Sequence, residues 1–377
     1  MPSKFFKNAL RIVKGRLKPV YGFTQKSTRE AAFKKLDEAE KMIRQSDLQI
    51  SDRQSWKKGF RSFVLAQPSE FEVAEAFYQY PPRAVRTVCF QKDEPILIVL
   101  TKNEIYRMHK FLPHYRRLGV KQFAVIDNGS TDGTVEYLMD QKDVALFEAV
   151  QPYRTNRREA WINRIIAYYG FDRWYIIVDS DELLVYDGAE KHEIGDLIHL
   201  AEKNKIKRIR GILLDMYPKT LNMNGADDIG DDPYSVYTYF DTDTYTSQGG
   251  VMFEAVRGGF RKRIFGSDAL LTKYPVVYFE KGDIQGKSHF EFPYRYNLNV
   301  PCWAGLLHYK FLSGDMKKIR DIAASGNYFG GSTQYKQYIN VIDQNAGVID
   351  ALYSGSQEYA NSHDIVKTGV ISGIQWE

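Results

Sequence analysis

The chain has 377 residues, of which 44% are apolar and 26% charged, with 52 Lys and Arg against 47 Asp and Glu for a net charge of +5. These values suit a soluble globular protein and exclude a disordered, collagenous or disulfide-scaffold chain, and so mild a positive balance does not point to nucleic acid. The length predicts one large domain of catalytic size with appendages. The 26 Tyr, 22 Phe and 5 Trp are numerous; aromatic faces stack on sugars and bases, but core packing is the default reading. Two cysteines, Cys89 and Cys302, favour a reducing compartment. The longest apolar runs, PILIVL at 95–100 and WYIIV at 174–178, are strand-sized and fall well short of the ~18–20 residues that span a bilayer. The basic N-terminus lacks an unbroken apolar stretch and a small-residue cleavage site, so it is not read as a secretory signal, and a cytoplasmic location is expected.

In chain order, residues 1–23 form a basic segment. On a helix of about 100° per residue, Lys7, Arg11, Lys14 and Lys18 make one stripe, with Phe5, Phe6, Ala9, Leu10, Val13 and Leu17 opposite. That pattern predicts peripheral attachment of residues 1–18 to an anionic membrane surface on its cytoplasmic face. The competing expectation is that the apolar face docks on the protein itself or on a second subunit. Residues 28–64 read as a small helical region and 65–94 as a Pro-containing connector. From residue 95, strand and helix patterns alternate. Strands are predicted over 95–101, 121–130, 144–150, 173–186 and 207–217, with helices over 104–119 (kinked at Pro113), 132–141, 158–170 and 192–204. The alternation predicts an α/β fold: a mostly parallel sheet with helices on both faces. Residues 218–300 lose the rhythm and read as loops and short strands over one end of the sheet. A last apolar segment covers 301–312, and helices are expected over 315–325 and 333–345. The expected organisation is therefore 1–94 as basic N-terminus, helical region and connector, 95–312 as the main domain, and 313–377 as a C-terminal helical extension.

In an open parallel sheet, ligands sit beyond the carboxyl ends of the strands. Three polar clusters fall there: Thr101, Lys102, Asn103 and Glu104; then Asp127 to Asp132; then Asp179, Ser180, Asp181 and Glu182. The second is also good turn and helix-cap chemistry by itself. The third resists that reading. Three carboxylates within four residues repel one another unless a cation compensates, and Mg²⁺ or Mn²⁺ takes carboxylate oxygens and bridges to phosphate.

The succession TKNE, VIDNGSTDGT, IIVDSDELL and GLLHYKF resembles GT-A glycosyltransferases, nearest to the family 2 type and also similar to family 92, over roughly residues 95–312. The resemblance implies a Rossmann-like GT-A fold and an inverting, metal-dependent transferase. Its donor would be a nucleotide sugar, most simply UDP-linked, and its acceptor a glycan or lipid-linked molecule of cell-surface polysaccharide synthesis. It places Thr101, Asn103 and Glu104 at the nucleotide end of the first strand, Asp127 at the uracil or ribose, and Asn128 and Ser130 along the same pocket. Asp179 and Asp181 match the DxD motif, with Asp181, His308 and, as an alternative ligand, Asp179 around Mn²⁺ or Mg²⁺. The catalytic base is expected at Asp215, which ends the fifth strand, with Glu254 and Glu291 as alternatives. Arg261 and Arg263, in RGGFRKRIFG, are expected to share a face of a strand and to bind the diphosphate or an acidic acceptor. Lys273 and His289 fit the pattern without an assigned role. His109, His114, His192, His199 and His363 are expected to be structural or exposed. Trp303 with Tyr234, Tyr237, Tyr239 and Tyr245 could offer a sugar platform, with packing as the default. Two rival functions remain at this stage: a nucleotidyltransferase, disfavoured because TKNE lacks a glycine-rich loop, and a non-catalytic carbohydrate- or membrane-binding protein on the same fold.

Overall fold

The computed structural model describes residues 26–42, 48–224, 232–287 and 289–376. The amphipathic helix expected over residues 1–18 lies outside the described residues. Among those described, no helix is long and apolar enough to cross a membrane.

The continuous apolar runs become strands because each has two faces to bury. The main sheet contains β1 (Arg83–Arg86), β2 (Ile96–Thr101), β3 (Phe123–Asp127), β4 (Val144–Glu148), β5 (Arg173–Ile177), β6 (Glu182–Tyr186), β7 (Arg208–Asp215), β8 (Thr272–Phe279) and β9 (Cys302–His308). Their order is β1-β4-β3-β2-β5-β8-β7-β9-β6. Strands β2, β3, β4, β5, β7 and β9 run one way, and β1, β6 and β8 run against them. Successive residues alternate between two cores, as strand geometry requires. Leu97, Val99, Phe123, Val125 and Ile176 pack on one face, and Ile96, Ile98, Ala124, Ile126 and Ile177 on the other. The sheet is thus the expected mostly parallel one, covered on both sides.

The first face is covered by α4 (Ile105–Arg117), α5 (Thr134–Met139) and α7 (Ile194–Lys203). The second is covered by α1 (Lys26–Met42), α2 (Arg53–Ala66), α3 (Phe71–Gln79) and α6 (Thr155–Tyr169). Helix α6 ends at Gly170, whose φ of 98° favours glycine. Helix α4 is continuous through Pro113, the position expected to kink it. Beyond them come α8 (Gly259–Phe265), α9 (Met316–Ser325), α10 (Phe329–Gln344) and α11 (Ser362–Lys367).

Several stretches differ from the sequence expectation. The one strand expected over 173–186 is broken by the acidic turn into β5 and β6, which lie apart in the sheet and run in opposite directions. The connector over 65–94 contains α3 and the edge strand β1. Helix α3 is short, yet buries Val73, Ala74, Ala76, Phe77 and Tyr78. The supposedly irregular 218–300 contains β8, which lies in the middle of the sheet between β5 and β7. Pro275 and Lys273 disguise it, since proline cannot donate to a sheet ladder and argues against a central strand. The pairing with β7 shifts register between Lys273 and Val276, which absorbs the proline.

The order β3-β2-β5 reverses direction of travel at β2 and β5, so the crevice favoured for ligands lies at their carboxyl ends. On the opposite margin Trp56 of α2, fully buried, stacks on Phe77 at 5.1 Å and on Phe171 at 4.8 Å. This joins the N-terminal helices to the end of α6. Trp56→Ala is expected to destabilise the fold by about 3–5 kcal/mol, read as a lower midpoint in urea unfolding.

Candidate active site

Asp179 follows β5 by two residues and Asp181 lies in the turn before β6. Antiparallel pairing of β8 with β5 carries Lys273 to the same level. There its ammonium donates to Asp179 Oδ2 at 3.1 Å and to Glu182 Oε1 at 2.8 Å. Arg158, in the first turn of α6, donates to Asp179 Oδ1 from Nη2 at 2.6 Å and from Nε at 3.2 Å. The parallel register of β7 and β9 sets His308 beside Asp215. His308 Nδ1 and Asp215 Oδ1 are 2.6 Å apart, and Arg261 Nε donates to Asp215 Oδ2 at 2.8 Å. His308 Nε2 faces Asp181 Oδ2 at 3.4 Å, and Lys310 Nζ lies 3.4 Å from the same oxygen.

These contacts balance the charge of the acidic cluster from within. The repulsion among Asp179, Asp181 and Glu182 that called for an external cation is answered by the protein itself, through Arg158, Lys273 and Lys310. Burial opposes ionisation of Asp179, but Arg158 and Lys273 prevail and hold it below the usual carboxylate range. Burial likewise opposes ionisation of Asp181, which Lys310 and His308 hold well down. For Asp215, Arg261 and His308 outweigh burial. Glu182 goes the other way: burial raises it despite Lys273. Exposure separates the roles. The Asp179 side chain is 36% exposed and that of Asp181 12%, whereas Glu182 and Asp215 are each 2% exposed. Asp179 and Asp181 therefore face the crevice, and Glu182 and Asp215 lie behind it.

The residues expected at the nucleotide end are brought together, with most of their polar groups engaged in the loop itself. Asp127 Oδ2 accepts from the amides of Gly129 at 2.9 Å and Ser130 at 3.0 Å. Asn103, at φ 53°, accepts from the Thr131 amide at 2.7 Å, and its own amide donates to Ser130 Oγ at 2.8 Å. Asn128 Nδ2 donates to the carbonyls of Ala149 and Gln151. Gly129, at φ 79°, has nothing within 4 Å of where a side chain would begin, so a ligand could approach its backbone. Glu104 does not join this group. It is buried against Arg107 at 2.7 Å and paired with Lys318, and Arg107 in turn holds Asp315.

The expected strand at Arg261 and Arg263 is a helix, α8. Two residues apart on a helix, the side chains diverge. Arg261 enters the crevice, whereas Arg263 leaves it for Asp241 at 2.9 Å and the ring of Tyr353. None of the three carboxylates expected as the base is free. Asp215 is in place, but both its oxygens are taken. Glu254 is bonded by Ser247 and paired with Arg210, its side chain 42% exposed. Glu291 is buried beside Arg208, which stems from the amino end of β7, and burial pushes it up to about 7. Tyr234 and Tyr237 are core residues, and Tyr239, Tyr245 and Trp303 pack against that core, so the default reading of these aromatics holds. His114 is anchored to the Leu184 carbonyl at 2.8 Å, and His192 stacks on Trp376 at 4.0 Å.

Among the described residues, no three His, Cys, Asp or Glu side chains assemble into a metal cage. The pair Asp181 and His308 nevertheless suits a divalent ion that takes its other ligands from a diphosphate and water. It offers one carboxylate and one imidazole, the latter backed by a buried carboxylate on its other nitrogen, as metal-binding histidines commonly are. Two guanidinium nitrogens near the carboxylates, Arg158 Nη1 and Arg261 Nη2, are buried without a hydrogen-bond partner, as is Thr101 Oγ1. Unsatisfied buried cationic donors favour an anionic ligand.

The sequence reading missed Arg158, Lys310 and the C-terminal wall. Lys310 was visible in GLLHYKF; for Arg158 there was no local signal. Tyr328 stacks on Tyr153 at 4.6 Å, and Lys310 lies 5.3 Å from the ring centre of Tyr335 in α10. Residues beyond 312 thus reach the crevice.

No family model matches the chain, and no curated protein matches it. Among solved structures, it is similar to glucosyl-3-phosphoglycerate synthase of Mycobacterium tuberculosis bound to Mn²⁺, UDP and glucosyl-3-phosphoglycerate, at 18% identity over 33% of this chain and 44% of that one, with a TM-score of 0.21. A second complex of that synthase, with phosphoglyceric acid, matches at 19% identity over 33% of this chain and 43% of that one, with a TM-score of 0.21. HddC of Yersinia pseudotuberculosis matches at 9% identity over 58% of this chain and 79% of that one, with a TM-score of 0.26. The chain thus spans less than half the length of the first two.

Lys273 offers a direct check on this electrostatic account. Lys273→Met should cost about 3–5 kcal/mol, because it strands the buried Glu182. The double variant with Glu182→Gln should recover much of that loss in equilibrium unfolding.

Proposed function

We propose that the protein is an inverting glycosyltransferase that moves a sugar from a nucleotide sugar, most simply UDP-linked, to a hydroxyl of a glycan or lipid-linked acceptor. Residues 95–312 would carry the chemistry, with part of the C-terminal helices as its wall. The observation that carries this reading is the crevice at the ends of β5, β7 and β9. There two accessible carboxylates and an oriented histidine lie beside Arg158, Lys273, Lys310 and Arg261, with two guanidinium nitrogens that make no hydrogen bond. The ordered motifs TKNE, DNGSTDGT, DSDE and LLHYKF favour a glycosyltransferase over other phosphate-binding enzymes.

In this scheme Asp181 and His308 would hold Mn²⁺ or Mg²⁺, which when bound supplies positive charge at the leaving diphosphate. Asp215 is reassigned from base to positioning residue: it fixes the His308 ring so that Nε2 faces Asp181. Arg261 keeps Asp215 ionised, and its Nη2, which makes no hydrogen bond, would be available to the anion. Asp179, anchored by Arg158 and Lys273, presents an acceptor for donor hydroxyls. The loop from Asp127 to Ser130 closes on itself and leaves the Gly129 backbone open to the base or ribose. The absence of a glycine-rich loop after β2 weighs against a nucleotidyltransferase.

The test is release of UDP from a panel of UDP-sugars, together with the thermal shift caused by UDP plus Mn²⁺. Wild type is expected to show both and to lose UDP release in excess EDTA. Asp181→Asn should lose release by roughly 10²-fold or more while keeping its fold. UDP release unaffected by EDTA would remove the metal from the scheme. A chain that neither shifts with UDP nor releases it would overturn the transferase reading.

A further inference from the structure

With Asp215 engaged at both oxygens, Glu254 exposed in an ion pair and Glu291 buried beside Arg208, no carboxylate considered for the base is free to take the acceptor proton. His289, close enough to Lys273, Asp179 and Arg261 to feel their charges, is held in a tautomer that leaves one ring nitrogen open. It sits in the turn between the short strands Ile284–Lys287 and Phe290–Phe292. Its ring Nδ1 lies 2.9 Å from the Thr272 carbonyl, and its own carbonyl accepts from the Tyr274 amide at 3.1 Å. A carbonyl oxygen can only accept, so Nδ1 carries the proton and Nε2 presents its lone pair. Ring and backbone are thus pinned on either side of Lys273, whose ammonium reaches Asp179. Among the described residues, Nε2 has no hydrogen-bond partner, and the residue is only partly buried. Burial and the nearby Lys273 keep the ring neutral, with its pKa pulled down to about 3. An anionic diphosphate docked in the crevice would offset that depression and strengthen the base when donor is present.

We infer that His289 is the proton acceptor for the incoming hydroxyl, an inference that rests on the transferase reading above. The Nε2 lone pair takes the proton of the acceptor O–H as the oxygen bonds to the anomeric carbon. The bond from that carbon to the diphosphate oxygen breaks, and its electron pair leaves with the nucleoside diphosphate. The imidazolium then returns its proton to solvent. Water is the simplest acceptor, so slow hydrolysis of the donor uses the same step.

The experiment compares wild type, His289→Ala and His289→Asn, using the UDP-sugar that wild type hydrolyses fastest. The asparagine amide can still donate to the Thr272 carbonyl but is not a base. Both variants are expected to keep the UDP thermal shift and to lose UDP release by roughly 10²–10⁴-fold. Free imidazole should restore part of the release in His289→Ala and none in His289→Asn, where the side chain fills the space. Near-normal release in His289→Asn overturns the inference and leaves the transferase reading standing. Release lost together with the UDP shift, or lost and not restored by imidazole, assigns His289 a structural part and overturns it as well. Wild type that neither binds UDP nor releases it overturns the transferase reading and this inference with it.

Discussion

The acid-rich end of the sheet depends on one buried ammonium, that of Lys273. Its side chain is 2% exposed and bridges Asp179 and Glu182, two carboxylates three residues apart. Isolated charges of that kind cannot be buried, because lost hydration costs more than any packing gain. The bridge exists because β8 enters the sheet against the direction of β5 and delivers Lys273 to the point where β5 ends. A parallel strand in that place would have brought its opposite end there. The antiparallel insertion is thus an electrostatic requirement of the crevice as well as a topological feature.

Around that bridge, charge is distributed by depth. Glu182 and Asp215 lie behind the surface and orient what lies in front of them, while Asp179 and Asp181 face outward. The same division separates His308, held between two carboxylates, from His289, held by two backbone contacts and open on one nitrogen. One histidine is held on both ring nitrogens and so kept oriented; the other is open on one nitrogen and kept neutral. Two imidazoles in one crevice with opposite surroundings can serve a ligating and a basic function at the same pH.

The segments outside the main alternating pattern are structural partners of the sheet. Helices α1–α3 cover its second face through Leu36, Trp56, Phe60, Phe63 and Phe77. The buried Arg107 ties Glu104 to Asp315, joining α4 to the start of α9. Lys318 of α9 also reaches Glu104, and α10 contributes Tyr335 beside Lys310. The wall of the crevice is therefore completed by residues more than 200 positions downstream of the strand end that opens it.

Much of this was legible along the chain, because strands buried on both faces and amphipathic helices write their period into local sequence. PILIVL and WYIIV could only be interior strands, and the polar clusters after them had to lie at the carboxyl ends. Asp179 and Asp181 were found that way and Asp215 from its place at the end of the fifth strand, whereas His308 came from the resemblance of GLLHYKF; the four do meet at one end of the sheet. Their division of labour was not legible, since a carboxylate's role follows from which cation reaches it, and Arg158, Lys273, Arg261 and Lys310 arrive from four separate elements. Strand β8 was hidden because Pro275 contradicts the pattern of a central strand, and only the register shift against β7 resolves the conflict. The helix at Arg261 and Arg263 was hidden because paired glycines in a short segment say nothing about period. Local periodicity records what a residue's near neighbours demand; ion pairing across the sheet is set by long-range register, which no local window contains.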